Sequence, residues 1–248
     1  MITKQRGFTL VEIAIVLVII GLLLGGILKG RQLINSARVR DLVESSSDIH
    51  AAYHGFFDRY RRIPGDWNQG AATTAIGVAI ANPLLGATTD NGRLDTTVAA
   101  PWLESNAMWE QLASAGFIRG AYPGTNGVPA QANGFTPLNA FNTPIIVGVT
   151  AEYFDVAAAP PARLHMVVGR NVPVDVMREL DVKIDDAAPR SGDLRATLPV
   201  ATVFVGGPVG GWGGMTATCI IASAVPGDPP FIWNISGNDP DCNAVVIF

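Results

Sequence analysis

The sequence predicts an α+β fold, with one long N-terminal helix packed on an antiparallel β-sheet. Three observations predict it. An apolar run, residues 8–28, lies near the start of the chain, and no proline follows it until Pro64. Beyond that run, Leu42, Ile49, Tyr53, Phe56 and Tyr60 recur at spacings of seven, four, three and four, which puts them on one helical face. Past residue 143, short segments rich in Val, Ile and Phe alternate with turn residues, as strands of such a sheet do.

The first element is therefore a helix over residues 8–61, roughly 80 Å long at 1.5 Å per residue. Its apolar part has 21 residues. That is enough to cross a hydrocarbon core of roughly 30 Å. Glu12 is the only charge in this part. A charge at such depth costs roughly 2.5–3.5 kcal/mol on insertion scales and marks function. Before the run stand seven residues that carry Lys4 and Arg6 and end in Gly7; Phe8 follows, and Glu12 is the fifth residue from it. A secretory signal has a basic start too, but its apolar region usually spans only about 7–15 residues and ends in a small-x-small cleavage site. This run is longer, lacks such an end and continues in helical register, so it reads as a retained membrane helix. Lys29, Arg31, Arg38 and Arg40 follow the run, so basic residues flank it on both sides and do not orient it.

The join of this leader, Phe8, Glu12 and the apolar run resembles the start of a type IV prepilin, in the group that holds type IV pilins and the pseudopilins of type II secretion. The resemblance implies a pilin fold, with the membrane half of the helix followed by an amphipathic half on a globular head. It implies cleavage after Gly7 by a prepilin peptidase and N-methylation of Phe8. It implies that Glu12 pairs with the N-terminal amine of a neighbouring subunit. It divides the chain into a leader (residues 1–7), a transmembrane and filament-core helix (8–30) and a head (31–248). It places the N-terminus in the cytoplasm and the head in the periplasm, then in a pilus or pseudopilus. The partners it implies are other pilin or pseudopilin subunits and an inner-membrane assembly platform. One departure concerns the membrane segment: where pilins often carry a proline, this chain has Gly21, Gly25, Gly26 and Gly30. Two readings stand for these glycines, local unwinding in the fibre and close packing between helices.

After the long helix, residues 63–66 (Ile-Pro-Gly-Asp) stop it. Residues 67–100, rich in Ala, Thr, Gly and Asn, read as a loop. Residues 101–115 read as a second helix, with Trp102, Trp109 and Leu112 on one face and Gly116 as its stop. Residues 120–140 are loop-like. Strands are expected at 144–149, 163–168, 200–205, 216–222 and 244–248. A short helix falls between the second and third of these, capped by Asn171, with Pro173 in its first turn and Val172, Val176 and Leu180 in helical register.

Composition narrows the function. The 248 residues have a net charge of −4, or −6 without Lys4 and Arg6. Such acidity argues against a nucleic-acid partner. Both cysteines, Cys219 and Cys242, lie beyond the membrane helix. An even count on the exported side favours a disulfide between them. His50 and His54 stand four apart but lack a third ligand, and read as a solvated or subunit-facing pair. Asp181, Asp185 and Asp186 offer the hard oxygens that calcium takes, yet their spacing is not that of an EF-hand loop. A solvated helix end and turn is the simpler reading, so no metal is expected. The glycine-rich residues 206–214 lack the Gly-Lys-Ser/Thr ending of a phosphate loop. No Gly-x-Ser-x-Gly element occurs, and His165 reads as a structural strand residue. The expectation is a structural filament subunit, neither an enzyme nor a cofactor protein. An adhesin or DNA-uptake receptor with Trp212 at its tip is the alternative.

Overall fold

The computed structural model describes residues 10–83, 89–94, 102–155, 160–199, 214–222 and 231–248. The chain divides into two units, Met1–Arg38 and Val39–Phe248. Helix α1 is continuous over Leu10–Tyr60. In the first unit, large side chains from Leu10 (90% exposed) to Leu28 (65%) face outward. Gly21, Gly25, Gly26 and Gly30 have open space where a Cβ would stand. Helical hydrogen bonding runs through all four.

The second unit has its own core, and α1 enters it with Val39, Leu42, Ile49, Ala52, Tyr53 and Phe56, all buried. This is the face that the sequence spacing gives, extended by Val39 and Ala52. Phe56 packs its ring against Tyr60 (4.8 Å), Phe117 (5.9 Å) and Trp67 (6.1 Å). Arg61 takes a left-handed conformation directly after the last helical residue, so the helix stops just ahead of Pro64.

Residues 69–76 correct the expectation of an uninterrupted loop: α2 occupies Gln69–Ile76. Its ends are locally encoded. The Asn68 side chain accepts from the Ala71 N–H, and Gly77, with φ of 82°, closes the other end. Helix α3 spans Leu103–Ser114. It is buried around its whole circumference from Glu104 to Leu112, not on the one Trp face that the pattern suggests. Its polar groups hold the loops that wrap it. Gln111 accepts from the Gly65 N–H (2.9 Å) and donates to the Trp67 carbonyl (2.7 Å). Glu110 accepts from the Ala81 and Asn82 N–H groups. Such partners offset the cost of burying these polar groups.

The main sheet is antiparallel throughout. Its strands are β1 (Ile146–Thr150), β2 (Arg163–Val167), β3 (Leu194–Ala196) and β6 (Ala244–Ile247), in the order β1-β2-β6-β3. The C-terminal strand thus lies inside the sheet, between β2 and β3. The helix α4 covers Val174–Ile184, after β2. Asn171 is not its cap: Asn171 has φ of 60°, and Pro173 occupies the cap position. A second, two-stranded sheet pairs β4 (Ile220–Ala222) with β5 (Phe231–Trp233). The segment expected as one strand over 216–222 begins instead with a 3-10 turn, Ala217–Cys219. The strand candidate at 200–205 lies outside the described residues.

Candidate functional site

The first candidate is the start of α1. Glu12 lies in α1, two residues after Leu10, the first described residue of the chain. It is exposed, as are its apolar neighbours Leu10, Val11, Ile13 and Ile15. A strip of exposed Leu, Ile and Val this long exceeds what a free aqueous surface carries and needs an apolar cover. The helix Leu10–Tyr60 contains a stretch long and apolar enough to cross a membrane. Gly7 and Phe8, the expected processing residues, lie outside the described residues, and so does Trp212.

The second candidate is the disulfide. Cys219 and Cys242 are bonded, with Cα atoms 5.8 Å apart. Both are fully buried. Cys219 ends the 3-10 turn ahead of β4, and Cys242 stands two residues before β6. The bond therefore fastens the small sheet to β6, an interior strand of the large one. The Cys242 N–H also donates to the Val172 carbonyl (2.9 Å), which ties the same point to the entry of α4.

The third candidate is the acidic end of α4. Asp181 has no exposed surface, which overturns the reading of all three acids as a solvated turn. The Trp233 Nε1–H donates to its Oδ2 at 2.6 Å. Burial raises the Asp181 pKa strongly, and the nearby Asp185 and Asp186 carboxylates raise it further, while the Trp233 hydrogen bond opposes them. One oxygen from each of Asp181, Asp185 and Asp186 lies within 4.8 Å of the other two. The Trp233 partnership has no signal in the sequence, because 52 residues separate the pair.

The histidines are arranged otherwise. His50 and His54 are exposed, with Nε2 atoms 3.2 Å apart, and the His50 ring lies 5.2 Å from that of Phe248. Among the described residues, no third metal-ligating side chain joins them. His165 is buried in β2, 4.5 Å from the Tyr153 ring.

Comparison with known proteins bears on the first candidate. No curated protein and no solved structure matches the chain. The family described as the prokaryotic N-terminal methylation motif matches residues 2–28. That stretch contains Lys4, Arg6, Gly7, Phe8, Glu12 and the apolar run. Helix α1 begins within that stretch, and with the antiparallel sheet it makes an α+β architecture consistent with a pilin fold. The chain therefore carries, over residues 2–28, the signature of the precursors of type IV pilins and pseudopilins.

Proposed function

We propose that this chain is a structural subunit of a type IV pilus or a secretion pseudopilus. A prepilin peptidase removes residues 1–7, and Phe8 becomes the methylated first residue. Residues 8–30 then hold the subunit in the inner membrane as a single span, with the head, residues 31–248, in the periplasm. An assembly platform in the inner membrane moves the subunit into a fibre, where its helix packs among those of its neighbours.

The observation that carries the reading is the exposed apolar surface of α1 with Glu12 as its charge near the start. Lipid tails and neighbouring apolar helices are similar surroundings for Leu and Ile, so exchange between them costs little and packing decides. The carboxylate is different. It is costly in lipid, and an ammonium at the same depth offsets that cost. Cleavage after Gly7 creates such an ammonium on Phe8. Processing and assembly are thereby linked: an uncleaved chain has no amine to offer Glu12 of the next subunit. The size of the head favours a minor pilin or pseudopilin over a major one.

Glu12→Ala tests the pairing. The substitution removes an unfavourable charge from lipid, so membrane insertion stays intact. Breaking a buried pair costs about 3–5 kcal/mol, and each 1.4 kcal/mol is about tenfold in an equilibrium. The variant should be at least about tenfold depleted in the sheared or pelleted filament fraction. Incorporation at the wild-type level would refute the role of Glu12.

A further inference from the structure

The histidine pair on α1 carries an inference independent of the filament reading. His50 and His54 stand about one turn apart on the same face of the helix. The adjoining face, with Ile49, Ala52, Tyr53 and Phe56, is buried in the core of the second unit. That burial fixes the helix, and so fixes the direction in which both imidazoles leave it. Helices present such pairs at a steadier spacing than loops do. Both histidines are themselves exposed.

The two rings converge through their nitrogens. Nε2 of His50 lies 3.2 Å from Nε2 of His54, while the ring centroids are 4.3 Å apart. The ring of Phe248 lies 5.2 Å from that of His50, and the Tyr53 ring meets His54 edge-on at 5.5 Å. These neighbours restrict how far either imidazole can turn away. Two nitrogens held at 2.0–2.1 Å from one metal ion, with 90–110° between the bonds, stand about 2.8–3.4 Å apart. The observed separation falls inside that interval. The metal ligand is the neutral imidazole. Burial, and then the nearby His54 ring, lower the pKa of His50, which keeps that ring neutral at pH 7.

We propose that His50 and His54 form a two-nitrogen chelate for a divalent transition-metal ion of the copper and zinc class. In the neutral pair one Nε2–H donates to the other Nε2. On binding, the donating ring moves its proton from Nε2 to Nδ1. Both Nε2 lone pairs then face the ion, and no net proton is released. Asp58, one turn beyond His54, pairs with Arg61 at 3.4 Å, and water completes the coordination. Imidazole suits Cu²⁺, Ni²⁺ and Zn²⁺, whereas Ca²⁺ and Mg²⁺ prefer oxygen, and Cu²⁺ binds tightest of the divalent series. The ion bridges successive turns, so it stabilises α1 in the stretch that enters the core.

The test uses the full-length chain purified in detergent, stripped with chelator and titrated with copper sulfate. Calorimetry should give one ion per chain. Electron paramagnetic resonance should show the hyperfine pattern of two imidazole nitrogens. His50→Gln and His54→Gln lie at exposed positions, and an unchanged Tm without metal checks that each keeps its fold. Each should weaken copper about tenfold or more and reduce the pattern to one nitrogen. An excess of zinc chloride should displace copper, and the same excess of magnesium chloride should not. No heat of binding in the wild type would overturn the proposal. Wild-type affinity retained in both variants would overturn it too, because the ion would then sit elsewhere. One ion per two chains would replace the chelate with a site between copies.

Discussion

His165 shows how one residue couples the head to pH. It is buried in β2, and its Nδ1 lies 2.7 Å from the Arg163 carbonyl oxygen, so the neutral ring keeps its proton on Nδ1. Its Nε2 is buried with no acceptor among the described residues. Protonation would bury a new N–H without a partner, and burial is the main cause that lowers its pKa to about 4, with the Arg195 and Arg163 charges assisting. The unfolded chain takes up that proton near its ordinary value of about 6.5. Between these two values the unfolded state binds more protons than the folded state, so stability falls as pH falls. The loss is complete near pH 4 and amounts to about 3 kcal/mol. Urea denaturation at pH 7 and pH 5 checks this: the midpoint should drop on acidification in the wild type and drop less in His165→Gln. Equal drops would assign the acid sensitivity to other groups. At this scale the sequence is uneven as a guide. Glu12 stands out because a single charge in 21 apolar residues needs no fold to be noticed. Asp181 does not, because its burial and its Trp233 partner arise only when α4 and β5 meet.

Among the elements, the long helix and the strands around Val147, Met166 and Val246 are legible because repeated apolar spacing survives over many residues. The three-residue strands β3 and β5 are too short to display a period. The entry of β6 between β2 and β3 is a matter of topology that no local pattern encodes. Helix α2 was legible in principle, through Asn68 and Gly77, but its Ala- and Thr-rich body has no apolar stripe. The pairing of Cys219 with Cys242 follows from their being the two cysteines of the chain. This bond closes a separation of 23 residues. The chain-entropy model gives about 3–4 kcal/mol for such a loop, against a total stability of about 5–15 kcal/mol for a domain. Replacing both cysteines by serine should therefore lower the Tm by roughly 6–16 °C at about 2–4 °C per kcal/mol. Thermal unfolding of the double variant, followed by tryptophan fluorescence, measures it. An unchanged Tm would mean that β4 and β6 hold together without the bond.

The whole molecule joins two chemistries in one chain. Residues 10–38 present apolar surface outward, while residues from Val39 onward bury theirs in a core of their own. The first part suits surroundings of lipid or of like helices, and the second folds around its own sheet. On the proposed reading, the order of Gly7, Phe8 and Glu12 makes the first part more than an anchor. Intact mass and N-terminal fragment-ion measurements on the native protein test it most directly. The account predicts a chain shortened by residues 1–7 that begins at Phe8 and carries one added methyl group on its N-terminal nitrogen. A mature chain beginning near residues 28–35 would contradict it, since ordinary signal-peptide removal would have taken away Glu12 and the helix that is to form the fibre.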